Sequence, residues 1–210
     1  MIKLMSSTLA IGLALGVTGL ASAQARNFEV RNDGGSRIQF ISDAPLETIT
    51  GVSSHVTGQV RIDPSNLSSA SGRVAVRIAS LRTGVDLRDE HLRSDNWLNA
   101  EAHPEATFEL LRIEGAERLR PNQQAQVRLH GRFTLHGTTR NIVANARIRY
   151  IPLTDEMREA RINGDVLRAQ ASFRIQLSDY GVSIMAPVRL KVSNEIRVNV
   201  TLRGIAATGS

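Results

Sequence analysis

The chain has 210 residues, no cysteine and a formal charge of +6, from 26 Lys and Arg against 20 Asp and Glu. The lack of cysteine excludes disulfide stapling and thiolate chemistry, so burial alone must stabilise the fold. Lysine occurs only at 3 and 191, and an excess made of arginine suits either a solvated exterior or anionic partners.

Residues 1–23 have the form of a secretory signal. Lys3 gives a thin positive start and residues 9–20 an apolar core. Ala21-Ser22-Ala23 or Ala23-Gln24-Ala25 supplies a small-residue cleavage site, so cleavage is expected after Ala23 or Ala25. A spanning helix wants about 20 apolar residues; this run is shorter and is broken by Gly12, Gly16 and Gly19. The expectation is a signal peptide followed by one domain over residues 24–210, exported most simply to a bacterial periplasm. Export argues against nucleic acid as a partner and favours anionic headgroups, pyrophosphates or wall polymers.

Period-two alternation then recurs along the chain. Weak runs at residues 37–42 and 54–62 precede a clear one, in which Val74, Val76 and Ile78 alternate with Arg73, Ala75 and Arg77. Residues 86–97 break the pattern. Asp86, Arg88, Asp89, His91 and Arg93 precede Trp97, the only tryptophan. Charges three and four apart share a helix face, so residues 86–97 are expected to form a short amphipathic helix or turn, closing one end of the domain. Arg88 with Asp89 and Arg93 with Asp95 are candidate ion pairs.

After His103-Pro104, a weak run at 105–113 leads to Val127, Leu129, Gly131, Phe133 and Leu135, which alternate with polar residues. Gly137-Thr138 reads as a tight hairpin turn into Ile142, Ala144, Ala146, Ile148 and Tyr150. Residues 154–165 alternate little and read as a flexible loop. Leu167, Ala169, Ala171, Phe173, Ile175 and Leu177 form the next face, and Ile196, Val198, Val200 and Leu202 the last.

About eight antiparallel strands with one helical insert fit a sandwich or a closed barrel. The run 124–135 would span about 40 Å at the usual rise, more than a compact sandwich needs, which favours the barrel. Gly131, Ala144, Ala146, Ala169 and Ala171 are small residues on the inward face, and aromatics are only 4% of the chain. Together they predict an unfilled apolar cavity.

The polar motifs point away from catalysis. There is no G-x-S-x-G elbow, H-E-x-x-H pair or cysteine. His130 and His136 lie about 20 Å apart at strand rise, too far for one metal. His91 is expected to hydrogen-bond within the helical cap and His136 within the hairpin turn. Neither a cofactor nor a metal is called for, and the chain reads as non-enzymatic.

The block from Asp86 to Pro104 resembles an element of the YceI-like family. So do Ser36 to Phe40, Gly58-Gln59-Val60 with Asp63-Pro64, Gly131 to Thr139 and Ser178 to Val182. Ser178 and Tyr180 depart mildly from that family's pattern, and Leu46 to Gly51 replaces its commoner lead-in. The resemblance implies an extended, lipocalin-like, eight-stranded antiparallel β-barrel holding a long isoprenoid lipid, of prenyl phosphate or quinone type. The interior positions expected to touch it are Phe40, Val76, Ile78, Phe108, Val127, Leu129, Phe133, Ile142, Ala144, Ala146, Ala171, Phe173, Ile175 and Val198. Arg88, His91, Arg93 and Trp97 are the candidates for the headgroup or barrel end. Lipid transfer would bring transient contact with a membrane surface; nothing in the pattern sets the oligomeric state, a homodimer being one option. The alternative is an envelope interaction or stress protein, binding anionic wall or lipid polymers through its basic exterior.

Overall fold

The computed structural model describes residues 24–206; the signal peptide expected over 1–23 lies outside them. In chain order it contains β1 (Arg26–Val30), β2 (Arg37–Asp43), β3 (Thr48–Ser53), β4 (Val56–Asp63) and β5 (Asn66–Arg77). Helix α1 (Asp86–Arg93) follows, then β6 (Glu105–Glu114), β7 (Gln124–Leu135), β8 (Thr138–Ile151), a short α2 (Asp155–Glu159), β9 (Val166–Gln176) and β10 (Glu195–Ala206).

All pairings between these strands are antiparallel, and they close a ring in the order β1-β4-β5-β6-β7-β8-β9-β10 and back to β1. Ten strands make eight staves because the first two staves are each broken in half. β1 pairs with the end of β10, Phe28 opposite Ala206, while β2 pairs further back, Ile196 opposite Ser42. β2 therefore continues the stave that β1 begins. The buried Ser36 spans the break by accepting the Arg203 amide at 3.0 Å. In the same way β4 lies against β1 and β3 against β2, and Val52 bridges to Arg82 beyond the end of β5. The barrel is the one that strand length predicted.

The β7–β8 hairpin turns at His136-Gly137, one residue earlier than expected, with Leu135 opposite Thr138. Both turn residues have positive φ, 49° and 72°, the geometry whose twist matches the flanking strands. The loop expected over 154–165 contains α2, capped by the Thr154 hydroxyl accepting from the Met157 amide.

The interior has two parts. One half is filled by Phe28, Ile62, Leu67, Ile113, Val127, Ile148, Tyr150 and Leu167. Its polar edge is Asp165, which is buried and accepts from the Tyr150 hydroxyl at 2.5 Å and the Leu153 amide at 2.8 Å. The other half is walled by Val56, Val76, Phe133, Leu135, Ile175, Ile196 and Val198, and roofed by Leu81, Leu98 and Tyr180. Gly131 is inward, but the space above it is occupied. A Cβ there would meet the Phe108 ring at 2.3 Å. Small inward residues thus do not everywhere mean a void.

Candidate functional site

A cavity of about 580 Å3 occupies the second half of the barrel, beneath α1. Phe108, Leu129 and Ala171 line it and also pack on the filled half, so they form its floor. It is a blind pocket rather than a tunnel through the barrel. Phe40, Val76, Phe133 and Ala144 form its walls with Phe173, Ile175 and Val198, and Ile78 lies towards α1. All of these were expected to face inward. The structure places Val127 and Ala146 elsewhere, in the filled half, and Ile142 packs against the core without lining the cavity.

The mouth is built by three segments. The first is the β2–β3 turn with Leu46 and Glu47, the second runs from Thr83 through α1, and the third is the loop over residues 183–192. Arg88 on α1 donates to Glu47 at 2.5 Å and to the Thr83 hydroxyl at 3.0 Å. The Leu46 amide donates to the Leu190 carbonyl at 2.9 Å. These contacts stitch the rim together. Arg88 is thus paired with Glu47 rather than with its neighbour Asp89.

Asp89 has a different task. It is buried and accepts from the Thr83 amide at 2.7 Å and hydroxyl at 2.6 Å. Burial raises its pKa, but the Thr83 bonds and the nearby charges of Arg82 and Arg93 outweigh that and hold it below the ordinary carboxylate value. Arg93, the last residue of α1, does not line the cavity, unlike Arg88, His91 and Trp97. Trp97 is partly buried, packed on the core with its side chain on the cavity, so it is one wall of the mouth and not a full plug. The helix itself covers only residues 86–93, and 95–98 continue as a turn.

Two features escaped the sequence reading. Lys191, the one lysine besides Lys3, lines the cavity, and no carboxylate among the described residues lies within 4 Å of it. It lies in a loop without periodicity; its rarity was the one available signal. His136, expected to bond within its own turn, instead donates from Nδ1 to the Tyr180 carbonyl at 3.0 Å, and its ring meets His103 edge-on at 5.0 Å. That contact ties the hairpin to the roof. Among the described residues no group of three or more His, Cys, Asp or Glu is placed to hold a metal.

Residues 30–203 match the family model of the YceI-like domain. A UPF0312 protein of Vibrio cholerae is 27% identical over 179 residues, covering 84% of this chain and 88% of the relative. One from Pseudomonas aeruginosa is 26% identical over 208 residues, covering 98% and 99%. Among solved structures, Burkholderia cenocepacia BcnA superimposes with a TM-score of 0.64 at 18% identity, over 83% of this chain and 98% of that one. A polyisoprenoid binding domain from Saccharophagus degradans, implicated in plant cell wall breakdown, gives 0.64 at 16% identity, over 88% and 100%.

Proposed function

The chain belongs to the YceI-like domain family, and from that membership we propose that it carries or stores a long isoprenoid lipid, of prenyl phosphate or quinone type, in the open half of its barrel. The observation that carries this reading is the cavity: about 580 Å3, with an almost wholly apolar lining, within the roughly 300–1,000 Å3 of ligand pockets. Burying a methylene there gains about 0.8 kcal/mol, so a branched hydrocarbon chain has a strong drive to enter. A solved relative of the same fold is described as polyisoprenoid binding. Export to the periplasm, expected from the form of residues 1–23, fits this role, because such a lipid cannot cross water unaided. The role is binding and not catalysis.

Two of the basic side chains at the mouth, Lys191 and Arg88, would meet an anionic headgroup. Arg88 already holds Glu47, so Lys191 carries the larger share. Lys191→Gln should weaken binding of a prenyl pyrophosphate about tenfold, the loss of one charge-assisted contact, and leave the matching prenol unaffected. Arg88→Gln should do less, and Arg93→Gln nothing. Titration of the two ligands checks this; equal losses for prenol and pyrophosphate would assign Lys191 to packing alone.

The rim also suits contact with a bilayer. Leu46, Val85, Leu87, Met185 and Leu190 are 48–68% exposed and all belong to the segments around the mouth. Such a concentration of exposed apolar side chains marks an interaction site. Leu46→Glu with Leu190→Glu, neither lining the cavity, should slow transfer of a fluorescent prenyl lipid to vesicles while leaving the amount bound unchanged. An unaltered transfer rate would mean that the lipid leaves without rim contact.

A further inference from the structure

The outer wall of β7 to β10 carries a second concavity, unrelated to the lipid pocket. It is a trough of about 620 Å3 floored by outward side chains such as Asn145, Gln170, Ser172 and Asn199, with Arg128 and Arg147 at its side. Strand register sets arginines around it. Arg149 lies opposite Arg168, and Arg168 opposite Arg203, so three arginines face one another across three adjacent strands. Further along, Arg174 lies opposite Arg197. From Arg168 to Arg174 the wall runs about 20 Å at strand rise, and the amide and hydroxyl floor lies between the two rows.

Like charges directly opposite in a sheet are destabilising. Some are compensated: Arg203 holds Asp33 at 2.9 Å and Arg174 holds Glu195 at 3.2 Å. Arg147, Arg149, Arg168 and Arg197 have no carboxylate within 4 Å among the described residues. Glu114, the trough's one carboxylate, is engaged by Arg112, Arg128 and His130. The wall therefore bears an intrinsic cost that an extended anion would remove.

We propose that this wall binds an acidic polysaccharide. Guanidinium forks recognise carboxylates in pairs, and the amides and hydroxyls between the rows match sugar hydroxyls as both donors and acceptors. Nucleic acid fits less well. Every Phe, Tyr and Trp is buried or lines the lipid cavity, which leaves no aromatic on the wall for a base to stack on.

The test uses the full mature chain with alginate, a linear polyuronate, and with neutral dextran, titrated over a series of salt concentrations. Alginate should bind and dextran should not. Arg149→Gln with Arg168→Gln should weaken alginate binding about tenfold or more, as lost charge-assisted contacts do. The salt slope should fall by roughly one for each arginine removed. Arg73→Gln with Arg77→Gln removes the same charge from the exposed face of β5 and should change affinity no more than about twofold, as surface charges remote from a contact do. Because the ladder is self-repelling, the Arg149/Arg168 variant should denature no earlier than wild type, which separates a binding defect from misfolding. Equal losses in the two pairs would reduce the effect to net charge and overturn the assignment. So would alginate binding no better than dextran, or weaker than single-stranded DNA or phosphatidylglycerol vesicles.

Discussion

Tryptophan at Ala144 or Ala171 should abolish lipid loading and leave the barrel folded. Both alanines line the cavity, Ala144 in the wall at 2% exposure and Ala171 in the floor. Because both residues line the cavity, an indole at either position should take up cavity volume. The strain should stay within the roughly 1–3 kcal/mol of ordinary overpacking, while the space left for a hydrocarbon chain is largely removed. Lipid co-purified with each variant measures the effect, and an unchanged circular dichroism spectrum shows that the fold survives. Undiminished loading in both variants would mean that the lipid lies elsewhere.

The opposite behaviour is expected of Phe28→Ala. Phe28 is wholly buried in the filled half, edge-on to Tyr150 at 6.4 Å, on the short strand that closes the barrel between β4 and β10. Removing a buried phenyl costs about 3–5 kcal/mol, a large part of the roughly 5–15 kcal/mol that stabilises a typical domain. The ring does not touch the cavity, so lipid stoichiometry in the surviving folded fraction should match wild type. Denaturant unfolding reads the first quantity and extraction the second. A midpoint close to wild type would show that this half is plastic. Loss of stability from Phe28→Ala and of loading from Ala144→Trp would together establish that one barrel divides into a structural half and a binding half.

That division was only partly legible in the chain. The long staves β7 to β10 declare themselves by strict alternation, because each has one face in the apolar interior and the other in water. β1 and β3 do not. They are five and six residues long, halves of broken staves, too short for a period to emerge. The small inward residues were ambiguous for a different reason. Whether a glycine or alanine leaves a hole depends on what reaches across from a neighbouring strand. Phe108 covers Gly131, and Phe40 covers Gly51, whereas Ala144 lines the cavity. Such pairings are set by register between distant segments, which composition does not reveal. The mouth shows the same limit. The charge-dense helix was visible from its spacing, but Arg88 finds its partner 41 residues away at Glu47, and Lys191 reaches the cavity from a loop without pattern.

Occupancy of the open half of the barrel by an isoprenoid underlies the proposed function. Its most direct test is mass spectrometry of an organic extract from the protein purified out of its native host, with the Ala144→Trp variant extracted in parallel. A single dominant isoprenoid species, stoichiometric with the wild-type chain and absent from the variant, is the predicted result. Recovery of no lipid, or of a phospholipid mixture mirroring the membrane and equal in both proteins, would contradict it.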